Sequence, residues 1–112
     1  MSPLIFLSGS LIFKPELKET RNGKPWARIL LEVESTREAR KGEFVTETTI
    51  MPINCFALCC AQVKDLQRGD ALTISCRLTG TKFESDSGTK YGVQLVGEKA
   101  FLNVAVKETN AR

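Results

Sequence analysis

The 112-residue chain contains no histidine. Without an imidazole, its charge changes little between pH 5 and 8 unless a thiol is unusually acidic. It has four cysteines, Cys55, Cys59, Cys60 and Cys76, but neither the paired C-x2-C spacing nor the C-x2-C with H-x3-H that zinc sites use. The thiols therefore read as small core hydrophobes, and no metal or other cofactor is expected. Clustered carboxylates, a nucleophile elbow and a phosphate-cradling glycine loop are also missing, which argues against an enzyme. No apolar run is long enough to span a bilayer as a helix, so no membrane association is expected. The apolar start, Met1 to Phe13, lacks basic residues ahead of it and is broken by Ser8-Gly9-Ser10. It reads as a strand and not as a signal peptide, which implies a reducing, cytoplasmic setting.

What the chain does have suits one soluble domain with a single core. Hydrophobic residues make up 42% and charged residues 26%, and 16 Lys and Arg against 13 Asp and Glu leave a net charge of +3. That excess permits a polyanionic partner without demanding one.

Strand character recurs along the chain. Leu4 to Phe13 is the first candidate, with Gly9 marking a bend or bulge of the kind that turns a barrel corner. Lys14 to Lys24 reads as a polar loop with a turn at Asn22-Gly23. From Pro25 to Ser35, Ala27, Ile29, Leu31 and Val33 alternate with Trp26, Arg28, Leu30, Glu32 and Glu34, and the odd set goes inward. Thr36 to Glu43 is charged enough to read as a solvated loop. Phe44 to Phe56 is the next strand, with Met51, Ile53 and Cys55 inward and Pro52 placing it at a bulge or an edge.

Ala57 to Arg68 carries the chain's helical pattern, closed by Gly69. A strand follows with Leu72, Ile74, Cys76 and Leu78 inward and Arg77 and Phe83 outward, then turn formers from Glu84 to Thr89, then a last strand over Leu95 to Val106. The expected fold is all-β, a five-stranded oligonucleotide/oligosaccharide-binding (OB) Greek-key barrel with one short helix between strands 3 and 4. Residues 1–106 form this domain and 107–112 a short tail.

The order of landmarks also resembles a known family. Leu7-Ser8-Gly9, Lys14-Pro15-Glu16-Leu17, Asn22-Gly23-Lys24, Leu66-Gln67-Arg68-Gly69-Asp70, then Arg77-Leu78 through Lys82-Phe83 to Asp86-Ser87-Gly88 and Tyr91, are similar to the run of motifs in bacterial single-stranded DNA-binding (SSB) proteins. A second likeness, through Gly23-Lys24-Pro25, Leu31-Glu32, Ser35 and Met51-Pro52, is to primosomal replication protein N (PriB), an adaptor of replication restart. Both imply a non-enzymatic OB-fold that binds single-stranded DNA as a homodimer or homotetramer, with replication or primosome proteins as further partners. The likeness to SSB also implies stacking platforms. Phe56 keeps one and Phe83 replaces a tryptophan at another, whereas Arg37 and Ile50 stand where two more tryptophans would be. The chain ends in VKETNAR and not in the acidic tail through which SSB recruits partners, which favours an adaptor role or one on a mobile element.

Two functions therefore follow as expectations. One is sequence-tolerant binding of single-stranded DNA, with Trp26, Phe44, Phe56 and Phe83 stacking bases and Arg28, Arg37, Lys41, Arg77, Lys82 and Lys90 meeting phosphates. The other is a PriB-like adaptor that works mainly through protein contacts and binds DNA more weakly.

Overall fold

The alternation of apolar and polar residues sets most of the strands, and the computed structural model, which describes residues 4–102, shows how they close. The elements are β1 (Leu4–Leu11), β2 (Glu16–Glu19), β3 (Pro25–Arg40), β4 (Glu43–Phe56), α1 (Ala57–Val63), β5 (Ala71–Ser85) and β6 (Gly88–Leu102). The strands lie in the order β1-β5-β6-β4-β3-β2, and β1 also pairs with β3, so five of the six close on themselves while β2 is added outside β3. β4 and β6 run parallel and the remaining pairs antiparallel. This is the OB barrel expected from the sequence.

Two short seams close the ring. One is Ser10 and Leu11 against Glu32 and Leu31, and the other Ile53–Cys55 beside Leu95–Gly97. Just past Gly9 the chain, still paired with β5, also meets β3, and a Cβ at Gly9 would lie 2.0 Å from the Glu32 carbonyl oxygen. Only glycine fits that crossing. The bend expected at Gly9 is thus a point of close backbone approach, without a register shift in the β1–β5 ladder.

The inward rows form the core. Ala27, Ile29, Leu31, Ile53, Leu72 and Ile74 are fully buried, and Val33, Met51 and Leu78 pack at its margin. Each large side chain so enclosed contributes about 1.5–3 kcal/mol. Helix α1 covers the core with Cys59, Cys60 and Val63, and Leu66 follows on the same side. All four cysteines are free and buried, and burial pushes the Cys76 thiol up to about 11, so it behaves as a neutral hydrophobe.

Several boundaries differ from expectation. Thr36 to Glu43 is not a loop: β3 continues to Arg40, and the turn is only Lys41-Gly42, with Gly42 at φ +84°. Beyond the barrel this ribbon is wet on both faces, so it needs no apolar alternation. Cross-strand pairs hold it instead, Thr36 with Thr46 at 3.2 Å and Arg37 with Glu47 at 2.7 Å. The polar stretch after Phe13 contains the short strand β2, which returns through the expected turn at Asn22-Gly23.

In the last hairpin, pairing continues to Ser85 and Gly88, so its tip is Asp86-Ser87 and β6 starts at Gly88, ahead of the expected Leu95. The regular helix stops at Val63, five residues short of Arg68. Pro52 does sit at an edge, since β6 pairs with β4 only from Ile53 onward. Its partner Leu30 turns its carbonyl toward Ile12, away from β4, so the missing proline N–H removes no bond to β3. The expected strand end at 103–106 and tail at 107–112 lie outside the described residues.

Candidate nucleic-acid interface

Register fixes which side chains share the outer face, because residues directly opposite in a ladder point the same way. Around the barrel, one row passes from Leu4 on β1 through Arg77, Val96, Asn54 and Arg28 to Glu16 on β2. The neighbouring row, two residues along, holds Lys18, Trp26 and Phe56. Trp26 and Phe56 stack at 5.4 Å between ring centroids, 20° from parallel, and the Lys18 ammonium sits 5.9 Å from the indole centroid. The stack is half open to solvent, with Phe56 39% exposed.

Local structure positions these groups. Phe56 is the last residue of β4, and Ala57 follows it at φ +50°, the left-handed region that turns the chain straight into α1. A non-glycine residue held there costs about 1 kcal/mol or more. The corner leaves the Phe56 ring on the outer face while Cys55 and Cys59 on either side of it go into the core. Beside the stack, the Asn54 amide donates to Gln94 across the β4–β6 seam at 3.4 Å. Arg28, exposed in the middle of this face, has no ion-pair partner among the described residues. A cavity of about 500 Å³ lies along the seam, with Arg28, Trp26, Asn54 and Gln94 among its walls.

The remaining expected residues are spread along the two hairpins. Phe83 is 62% exposed on the outer row of β5, directly across from Lys90, and three alternate positions beyond Arg77. Lys82 points to the other face, opposite Tyr91, and lies 3.8 Å from Glu84. Arg77 is engaged by Glu98 at 2.6 Å. Phe44 lies at the far end of the first hairpin, on the row that starts at Trp26 and about 40 Å along the ribbon from it. Lys41 is in the turn beyond. Arg37 projects from the opposite face to Trp26 and Phe44, paired with Glu47. The structure thus brings Trp26, Arg28 and Phe56 together, carries Arg77, Phe83 and Lys90 outward on the second hairpin, and separates Arg37, Lys41, Phe44 and Lys82 from both groups.

Three side chains absent from the sequence expectation join this face. Phe13 and Lys14 flank Arg28 in a cavity of about 330 Å³ floored by Leu30. Lys18 caps the Trp26 ring.

The sequence pattern of the single-strand binding protein family matches residues 4–103. The chain belongs to that family. A comparison with curated protein sequences yields no match. Among solved structures, a deletion mutant of the single-stranded DNA-binding protein from Thermus aquaticus superposes with a TM-score of 0.77 at 20% identity, covering 88% of this chain. This chain spans about half, 49%, of the Thermus protein. The small single-stranded DNA-binding protein from Streptomyces coelicolor gives 0.68 at 15% identity, covering 95% of this chain and 98% of that one. The Plasmodium falciparum SSB, solved in complex with single-stranded DNA, gives 0.71 at 19% identity, with 91% and 92% covered. At these identities the likeness establishes the barrel. The details of this family member's candidate face rest on its own residues.

Proposed function

We propose that this chain binds single-stranded DNA, largely without sequence preference, by stacking bases on outer-face aromatics and neutralising phosphates with Lys and Arg. The carrying observation is the half-open Trp26–Phe56 stack with the Arg28 guanidinium, without an ion-pair partner among the described residues, in the adjoining row. Every base has a π-face, so ring stacking tolerates any sequence, and a guanidinium beside the rings meets the backbone that links successive bases. Membership of the single-strand binding protein family supports the same reading. On this reading the strand crosses the β3–β4 foot, passes Asn54 and Gln94, and continues over Arg77 to Phe83 and Lys90.

Trp26 is the chain's one tryptophan, so its fluorescence reports on this face directly. Titration with oligo-dT at low salt is expected to quench it, and log affinity is expected to fall against log salt at about 0.7 per phosphate contact. Absence of binding to oligo-dT at low salt overturns the proposal.

Self-association follows from β1. Its second edge has no strand partner from Leu4 to Gly9 among the described residues, and Leu4 and Phe6 are exposed on it. Such an edge accepts a strand from a second copy, giving a homodimer or, from two dimers, a homotetramer. Native mass measurement with and without oligonucleotide counts the subunits.

One observation favours a second reading, the protein adaptor of the PriB type. Glu32, Glu34 and Glu38 line the outer row of the first hairpin with no ion-pair partner among the described residues. An anionic ribbon suits a protein partner better than a phosphate backbone. On that reading Trp26→Ala with Phe56→Ala leaves partner assembly intact, and loss of assembly together with DNA binding counts against it.

A further inference from the structure

Beyond the Trp26–Phe56 stack and the phenylalanines of the two hairpins, a further aromatic stands exposed beside Arg28. Phe13 is 59% exposed. It stands past the end of β1, over a cavity of about 330 Å³ whose other walls are Lys14, Glu16, Arg28 and Leu30. An exposed ring is unremarkable on a mobile loop, but this one is pinned from both sides. The Ile12 N–H donates to the Leu30 carbonyl at 3.2 Å, and Pro15, two residues on, is buried. Proline fixes its own φ and holds the preceding residue, Lys14, in extended backbone, so the direction of Phe13 and Lys14 is set before any ligand arrives. The ring thus pays little ordering entropy on binding.

The chemistry around it is specific. Leu30 gives an apolar floor, Lys14 and Arg28 supply positive charge on two sides, and Glu16 adds a carboxylate held by Lys18 at 3.2 Å. Arg28 also lines the larger cavity that contains Trp26, Asn54 and Gln94, so the two cavities share a wall and are neighbours on one path.

We infer that the Phe13–Lys14–Arg28 cleft is a nucleobase subsite, in which a base stacks on Phe13, the flanking phosphates meet Lys14 and Arg28, and Glu16 accepts a hydrogen bond from an exocyclic amino group. The inference rests on the single-stranded DNA reading above and adds a pocket and a base preference to it. At C4, cytosine offers an amino donor to a carboxylate where thymine presents a carbonyl oxygen that repels it, and thymine's one donor is the ring N3–H, so a carboxylate facing the exocyclic group takes cytosine in preference to thymine. Elsewhere on the face, the open Trp26–Phe56 stack does not discriminate.

The test compares the wild-type chain with Phe13→Ala, Phe13→Leu, Lys14→Gln and Glu16→Gln, using fluorescently labelled oligo-dC, oligo-dT and an abasic oligomer of equal length. Anisotropy gives affinity at several salt concentrations. Wild type is expected to bind oligo-dC more tightly than oligo-dT. Both Phe13 variants lose roughly tenfold or more of affinity for oligo-dC, the loss expected for one stacked base, and change little on the abasic oligomer. Lys14→Gln lowers the salt slope by about 0.7 on all three oligomers. Glu16→Gln narrows the gap between oligo-dC and oligo-dT. Since Phe13 is largely exposed, both of its variants fold, and Phe13→Leu keeps the apolar bulk while removing the aromatic face. Wild type that binds oligo-dT while the Phe13 variants bind oligo-dC as well as wild type does overturns the subsite and leaves the single-stranded DNA reading standing. Wild type that binds none of the oligomers overturns both.

Discussion

The two hairpins of this molecule are built alike and charged differently. β3 and β4 have 16 and 14 residues, β5 and β6 have 15 each, and both ribbons project from the same barrel with two-residue turns at their tips. Along the outer row of the first stand Glu32, Glu34, Thr36 and Glu38, facing Ile50, Thr48, Thr46 and Phe44. Along the outer row of the second stand Arg77, Thr79, Thr81 and Phe83, facing Val96, Gln94, Gly92 and Lys90. Backbone geometry therefore does not decide which ribbon suits a polyanion. A phosphate about 4 Å from a carboxylate in water is repelled by about 1 kcal/mol, and three carboxylates in one row repeat that cost along the ribbon. On the proposed reading, DNA crosses the foot of the first hairpin and follows the second outward, leaving the anionic ribbon to other partners.

That contrast is removed wholesale if the shared barrel fails. Gly9→Ala puts a Cβ 2.0 Å from the Glu32 carbonyl, where backbone and not a flexible side chain must yield. Overpacking against main chain at the β1–β3 seam is expected to cost about 3 kcal/mol or more, read as a lower midpoint in chemical denaturation. An unchanged midpoint means the seam does not anchor the hairpins. Next in size is the pair of tip aromatics. Phe83→Ala is expected to weaken oligo-dT binding by about 1–3 kcal/mol, the contribution of one stacked base. Phe44→Ala, with a ring as exposed (67% against 62%) but on the anionic ribbon, is expected to change it less than twofold. Equal losses would remove the distinction between the ribbons.

The same comparison explains what the sequence made legible. Strands that line the barrel have one dry face, so Ala27, Ile29 and Leu31 or Leu72, Ile74 and Cys76 announce themselves by period two. The ends of the ribbons are wet on both faces, and there the alternation has no physical cause. Thr36 to Arg40 therefore looked like a loop although Arg37–Glu47 and Thr36–Thr46 hold it as strand. On the candidate face, the outward placement of Trp26, Arg28 and Phe56 could be read from phase alone because their strands keep a single register from Trp26 to Glu38. Phe13 could not. Its spacing from the buried Leu11 puts it in phase with the core, but β1 ends at Leu11, and the ring turns outward once the ladder no longer governs it.

Charge reversal on the first ribbon gives a smaller and more graded effect. Glu34→Lys with Glu38→Lys is expected to raise affinity for oligo-dT at low salt and to steepen the log–log salt dependence by up to about 0.7 for each lysine that finds a phosphate. If both slope and affinity stay at wild-type values, the strand never comes near that ribbon even when its charge permits, and shape rather than charge separates the two.

The finest test uses two ion pairs that are near twins. Arg37–Glu47 closes at 2.7 Å on the first hairpin and Arg77–Glu98 at 2.6 Å on the second, all four side chains being substantially exposed. Pairs of this kind contribute at most about 1 kcal/mol to stability, so Glu47→Gln and Glu98→Gln are both expected to shift the denaturation midpoint only slightly. Their effects on binding differ because the arginines occupy different rows. Glu98 is the extra residue of a bulge, lying between Gly97 opposite Cys76 and Lys99 opposite Ser75, and it holds Arg77 on the outer face. Freeing that guanidinium is expected to strengthen binding of oligo-dT a few-fold and to increase its salt slope, since one more cation can release counterions from the strand. Freeing Arg37, which projects from the face opposite to Trp26 and Phe44, is expected to do neither. Two variants with the same chemistry and the same small cost in stability would then separate in an oligo-dT titration, and a matched response from both would mean that net charge, not the row a charge occupies, governs affinity.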